Sequence, residues 1–298
     1  MWRWVGGVLG AVLAFSAPAQ AETQLDWAAL QLPSVGRPHI YGSYAKGCIA
    51  GAEALPASGR GYQVVRLSRN RFWAHPELID VIERLAREVA RDGLGRLAVG
   101  DVGQPRGGPM PFGHSSHQVG LDADIFYRLD LPKLEPRARE NIDPVSVVDH
   151  DTWTLIPDLW RDQIGDVIRL AALDKHVERI FVNPVVKQAL CARDWPDEGR
   201  APFWLAKVRP WWGHDGHFHM RLKCPRGEKD CVNQTAPAAD SGCGAELDYW
   251  LAELRKPVVK AEPEEPPKMR PMPPLPLQCQ KVLNARAVVA ASVSGWND

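Results

Sequence analysis

The sequence predicts an α+β fold, a small antiparallel sheet that carries the functional residues and is flanked by helices. Three observations predict it. From His217 to Leu222 polar and apolar residues alternate, so an extended segment puts His217, His219 and Arg221 on one face and Phe218, Met220 and Leu222 on the other. Apolar residues at helical spacing mark Leu78, Ile79, Ile82, Leu85, Ala86 and Val89, and again Trp160, Ile164, Val167, Ile168 and Ala171. Short apolar-rich runs at 61–68, 97–101, 121–127 and 179–182 read as further strands.

Taken in order, residues 1–21 read as a secretory signal peptide. A basic start is followed by an uncharged apolar run from Val5 to Phe15, and Ala19-Gln20-Ala21 supplies a small-x-small cleavage site. The run is too short for a bilayer span, which takes ~20 apolar residues, so no membrane anchor is expected once the signal is removed. Residues 22–255 form the expected domain. Residues 22–60 look loop-rich. The first helix starts at His75-Pro76, with proline at the first helical position, and Gly93 stops it. The glycine- and proline-rich loop 103–113 lacks phosphate-loop spacing, which excludes nucleotide binding by that device. Asp122, Asp124 and Phe126 then share one face of a strand. Residues 128–157 are polar and irregular, and the second helix covers 159–173. Asn183-Pro184 opens a third helix ending near Leu190, and 202–207 reads as a short fourth. Residues 256–298 form a proline-rich linker and C-terminal tail.

The formal net charge of zero gives no sign of nucleic-acid binding, which usually shows as a strong basic excess. Six cysteines in an exported chain imply disulfides, and six allow 15 pairings. Cys224 and Cys231 close a short loop and form a plausible local pair. The oligomeric state stays open, with a dimer among the options.

The chemistry rests on His117, Asp124 and His219. His117 and Asp124 form His-x6-Asp across a loop-to-strand junction, and His219 comes from the alternating strand. Two histidines and one carboxylate with an open position make a common catalytic zinc shell. His217 is placed beside the metal as a general base, and His214 is a second catalytic candidate. Neither His-Glu-x-x-His nor Gly-x-Ser-x-Gly is present, which excludes a thermolysin-like site and a nucleophile elbow. Trp195, Trp211 and Trp212 are candidates to pack on a substrate strand.

Phe112-Gly-His-Ser-Ser-His-Gln-Val-Gly-Leu-Asp-Ala-Asp-Ile-Phe126, with Arg179-Ile-Phe-Val-Asn-Pro184, Val208-Arg-Pro-Trp211, His217-Phe-His-Met-Arg-Leu222 and Gly242-Cys-Gly-Ala-Glu-Leu247, closely resembles the penicillin-insensitive murein endopeptidases. The likeness runs from about residue 40 to 279. It implies a metal core shared with D-alanyl-D-alanine metallopeptidases, lysostaphin-type enzymes and hedgehog domains. It implies Zn2+ held by His117, Asp124 and His219, with His217 catalytic and His214 nearby, and cleavage of D-alanyl–meso-diaminopimelyl cross-bridges of peptidoglycan in the periplasm. A further metal position would involve His114 and Asp151, but the histidine three residues after that acid is Thr154 here. The implied disulfides are Cys48–Cys279, Cys191–Cys243 and Cys224–Cys231. Rival readings are a catalytically silent wall-binding module and a metal-dependent D-alanyl carboxypeptidase.

Overall fold

The computed structural model describes residues 23–196, 199, 202–256, 272 and 274–289. The expected signal peptide and most of the proline-rich linker lie outside the described residues. Helix α1 is Gln24–Ala28. The short strands β1 (His39–Ser43), β2 (Lys46–Ala50), β3 (Glu53–Ala54), β4 (Ser58–Gly59), β5 (Tyr62–Val64) and β6 (Trp73–Ala74) precede α2 (Pro76–Arg91). Then come β7 (Leu97–Val99), β8 (Asp122–Phe126), β9 (Val148–Asp149), β10 (Thr154–Leu155), α3 (Asp162–Leu173), β11 (Val177–Val182) and α4 (Pro184–Ala192). Strands β12 (Val208–Pro210) and β13 (His217–Leu222) and helices α5 (Ala245–Leu254) and α6 (Leu277–Leu283) complete the described elements.

The α+β class holds, but the sheet is neither small nor wholly antiparallel. Its seven strands run β12-β11-β13-β8-β7-β5-β4. Two pairings are parallel, β11 with β12 and β5 with β7. The second follows from connectivity: β5, α2 and β7 are a strand–helix–strand unit, and a helical crossover returns the chain parallel. Residues 22–60 are also more regular than expected. They hold α1 and the β1–β2 hairpin, which residues of low strand propensity such as Gly42 and Gly47 obscure in the sequence.

Helix boundaries follow local chemistry. The His75 side chain accepts from the Glu77 N–H and Pro76 occupies the first turn, where its missing donor costs nothing. Asn183 caps α4 by accepting from the Val185 N–H, again with proline next. Segment 202–207 is a 3-10 turn, Phe203–Lys207. One sheet face, with Ala123, Ile125, Phe218, Met220 and Leu222, belongs to a core shared with α2 and α3. The opposite face at β8 and β13 is left for polar residues.

All three implied disulfides are present: Cys48–Cys279, Cys191–Cys243 and Cys224–Cys231. The first ties α6 to β2 and shares a small apolar cluster with Trp27 and Val282. Arg106 Nη1 donates to the carbonyls of Val282, Leu283 and Ala285 at the C-terminal end of α6, where unpaired carbonyls need donors. Loop 103–113 is buried along most of its length. A Cβ on Gly107 would lie 1.9 Å from the Gln118 carbonyl oxygen, and one on Gly108 2.2 Å from the Trp27 ring. Its glycines therefore serve close packing.

Lys187 on α4 is fully buried, and its Nζ donates to the carbonyls of Leu205 (2.9 Å) and Ser241 (2.6 Å). Burial, aided by the like charge of Arg209, lowers its pKa from 10.5 to about 7. Between those values the unfolded chain binds the extra proton, so stability rises with pH across that window. From pH 7 to 9 the expected gain is roughly 2 kcal/mol, read by urea unfolding and missing in Lys187→Met. A wild-type profile no steeper than the variant's would show that the buried ammonium keeps its ordinary pKa.

Candidate functional site

Strands β8 and β13 are antiparallel neighbours inside the sheet, with His217 opposite Phe126, His219 opposite Asp124, and Arg221 opposite Asp122. The polar faces expected for the two strands are thus one surface. His117 reaches it from the loop before β8, on a residue with φ of +63°. That left-handed conformation is costly for a residue with a Cβ, and such strain collects at functional sites.

Asp124 is the focus. Its Oδ1 lies 3.3 Å from His117 Nε2, 3.6 Å from His217 Nε2 and 3.6 Å from His219 Nδ1. His114 Nε2 is 3.6 Å from the other oxygen, Oδ2. Both His117 Nε2 and Asp124 Oδ1 are buried and make no hydrogen bond. Buried polar atoms are seldom left in this state, because an unmade bond costs its desolvation penalty. An imidazole nitrogen and a carboxylate oxygen aimed at one spot are a donor set that suits a cation.

The outer partners fix which atoms are free. His117 Nδ1 donates to the Val102 carbonyl at 2.7 Å, which leaves Nε2 facing Asp124. Burial opposes charge on this ring, but the Asp124 carboxylate outweighs it and raises the pKa to about 9, so a cation bound there would displace a proton from Nε2. His219 Nε2 donates to Asp122 Oδ1 at 2.9 Å, which leaves Nδ1 facing Asp124. His114 Nε2 instead donates to Asp101 Oδ2 at 2.9 Å. His117 Nε2, Asp124 Oδ1 and His219 Nδ1 therefore face the same space. Among the described residues the compact group whose ligand atoms could share an ion is His114, His117 and Asp124; His219 lies outside that group, and His114 Nε2 is engaged by Asp101.

Two carboxylates organise this surface from behind. Asp122 is fully buried; its Oδ2 accepts from the His117 backbone N–H at 2.9 Å and its Oδ1 from Arg221 Nε at 2.7 Å, besides His219. Asp101 accepts from Arg71 (2.8 Å), Arg69 (3.0 Å) and His114. Burial opposes ionisation of Asp122, Asp101 and Asp124. The charge of Arg221 with the hydrogen bond from His219 outweighs it at Asp122, the hydrogen bond from His114 with the charge of Arg71 at Asp101, and the surrounding imidazoles of His217, His117 and His114 at Asp124, so each is held below the usual carboxylate range.

The catalytic candidates are neutral bases. Burial lowers the His217 pKa, against the attraction of Asp124. Burial, with His219 and His217 nearby, pushes His214 down to about 3. His214 Nδ1 donates to the Trp212 carbonyl at 2.7 Å, so its Nε2 can only accept. Its ring lies 5.2 Å from that of His217.

A model of the family described as penicillin-insensitive murein endopeptidase matches residues 40–284. The chain is 42% identical over 276 residues to a protein of that name from Klebsiella pneumoniae (strain 342), covering 92% of this chain and 96% of the relative. It is 40% identical over 280 residues to those of Escherichia coli O6:K15:H31 (strain 536 / UPEC) and Shigella sonnei (strain Ss046), covering 93% of this chain and 98% of each. The chain belongs to the penicillin-insensitive murein endopeptidase family.

Within this member, His114, His117, Asp124, His214, His217 and His219 are gathered on one side of the sheet. Asp151 is placed differently. It is exposed in the turn between β9 and β10, where its N–H donates to Asp149 Oδ1, and the compact ligand cluster does not include it. Thr154 is exposed on β10, its Oγ1 2.8 Å from that of Thr152. Trp195 is no substrate contact: it is 2% exposed, donates to the Leu190 carbonyl and packs against Trp204. Sequence reasoning missed Asp101, which reads as the end of a strand. Its signal was there in Arg69 and Arg71, two cations in a segment that packs inward and needs a buried counter-charge. No helix among the described residues is long and apolar enough to cross a membrane.

Proposed function

We propose that this protein is a zinc-dependent murein endopeptidase that hydrolyses D-alanyl–meso-diaminopimelyl cross-bridges of peptidoglycan. It would act in the periplasm after removal of residues 1–21. The observation that carries the metal is the pair of buried, unpartnered atoms His117 Nε2 and Asp124 Oδ1, with His219 Nδ1 beside them. Family membership and the names of the relatives support murein as substrate.

His117, Asp124 and His219 would hold the ion. When bound it supplies a Lewis acid that polarises a carbonyl and makes water a nucleophile at neutral pH. The rest falls to the chain. His217, neutral because it is buried, takes a proton at Nε2 and passes it to the leaving amine. His214 presents Nε2 as an acceptor for a substrate N–H. Asp122 and the Val102 carbonyl keep His219 and His117 in the ligating tautomers. With no acyl-serine step in this scheme, penicillin has nothing to acylate. A silent wall-binding module has no use for two neutral imidazoles beside the cation site.

Chelation should stop release of monomers from purified cross-linked muropeptides, and added zinc should restore it. Penicillin should leave the rate unchanged. Metal analysis should find His219→Ala depleted and His114→Ala loaded. Cleavage that survives complete metal removal would rule the mechanism out.

A further inference from the structure

A continuous path of aromatic rings leads outward from the site. Phe181 on β11 stands edge-on to His219 with centroids 5.2 Å apart, and lies 6.1 Å from Trp211. Trp211 and Trp212 each sit 5.2 Å from Trp250 on α5, and Tyr249 sits 5.9 Å from it. The outer rings are in water: Trp211 and Trp212 are 49% exposed and Tyr249 is 59% exposed. Helix α5 turns Leu247, Leu251 and Leu254 inward, so Tyr249 is not needed for its packing. The base of the patch is held firmly, by the Cys191–Cys243 disulfide between α4 and the start of α5 and by Lys187 on the Ser241 carbonyl.

A contiguous exposed aromatic patch on a soluble protein marks an interaction surface. Here the rings are tilted to one another by 55°, 77° and 75°, so they form a stepped face. None of the four side chains carries charge, which suits a neutral ligand with apolar faces and polar rims. Sugar rings have that character, since their C–H faces pack on aromatic rings while the hydroxyl and amide groups stay solvated. The distance also fits. In the proposed murein substrate, roughly three to four residues of stem peptide separate the cross-bridge from the sugar. An extended stem of that length spans ~10–14 Å, comparable with the three ring-to-ring steps from His219 to Trp250.

We infer that Trp211, Trp212, Tyr249 and Trp250 form a stacking platform for the glycan strand of the substrate, a β-linked N-acetylhexosamine polymer. This rests on the proposed murein substrate. The platform makes the protein a reader of cross-links still attached to glycan, since a free peptide would forgo that contact.

The test pairs a binding probe with two substrates. Calorimetric titration with a peptide-free β-1,4-N-acetylglucosamine tetramer should show binding to the wild type. Trp212→Ala combined with Tyr249→Ala should weaken it about tenfold, the loss expected from two aromatic contacts. The rate on intact sacculi should fall by a similar factor relative to the rate on sugar-free cross-linked peptide dimers. Thermal melting checks the fold, and Tyr249→Ala alone gives the same comparison if the double variant does not fold. Equal losses on both substrates, or unchanged tetramer binding, would overturn the platform. So would a wild-type dimer in sedimentation that Trp212→Ala dissociates, because a second copy would then be the occupant. A wild type that binds the tetramer through these rings but leaves the cross-links of both sacculi and peptide dimer intact would retire the endopeptidase reading and keep the platform.

Discussion

Asp124→Asn is expected to empty the cation site and abolish cross-link cleavage while the protein stays folded. Among the described residues, Asp124 Oδ1 is the carboxylate oxygen that faces His117, His217 and His219 together. An amide there removes the charge and leaves a poorer oxygen donor. It can also turn an N–H toward imidazole lone pairs. Loss of an outer partner typically costs 10–100-fold in metal affinity, so loss of a ligand should exceed about 100-fold. His217→Ala supplies the contrast. It should keep its zinc and lose about 10²–10⁴ in turnover, the usual contribution of a general base. Zinc content and muropeptide cleavage, measured on both variants, separate holding the ion from moving the proton. Equal zinc loss in the two would show that His217 is a ligand and that its role is misassigned.

Alternation in His217–Leu222 and in 121–127 made each polar face legible in the sequence, because a strand has period two and nothing in these runs disturbs it. What joined the two faces was register. His219 lies across from Asp124 and Arg221 across from Asp122 only because β13 and β8 are neighbours, and pairing partners are set by packing far along the chain. The sheet's size was missed for the same reason. Strand β5, helix α2 and strand β7 were each visible, yet their parallel pairing is a property of the crossover. Asp101 was overlooked although Arg69 and Arg71 signalled a buried counter-charge, and the placing of Trp250 against Trp211 and Trp212 was illegible because it is a contact between distant segments. His114 is intermediate. It comes to the site as its motif suggests, but Asp101 occupies its Nε2, which spacing could not reveal.

Asp122→Asn should cost more stability than any single change at the site surface. The Asp122 carboxylate is fully buried and serves three donors: the His117 backbone N–H, His219 Nε2 and Arg221 Nε. An asparagine has one acceptor oxygen, so at least one donor meets an NH2 group instead. Arg221 is itself 7% exposed, and among the described residues its other partners are the Gln234 amide and the rings of Tyr44 and Phe181. Removing one partner of a buried pair costs about 3–5 kcal/mol, because the other charge stays buried without compensation. Urea unfolding reads that loss. Zinc affinity should drop 10–100-fold as well, since the Nδ1 of His219 is aimed by the bond its Nε2 makes. The two losses have different causes, and a second substitution separates them. Arg221→Met in the Asp122→Asn background removes the orphaned charge, so stability should largely return. Zinc affinity should not, because His117 and His219 still lack their anchor. Recovery of both together would mean that Asp122 acts only as the counter-ion of Arg221 and does not orient the ligands.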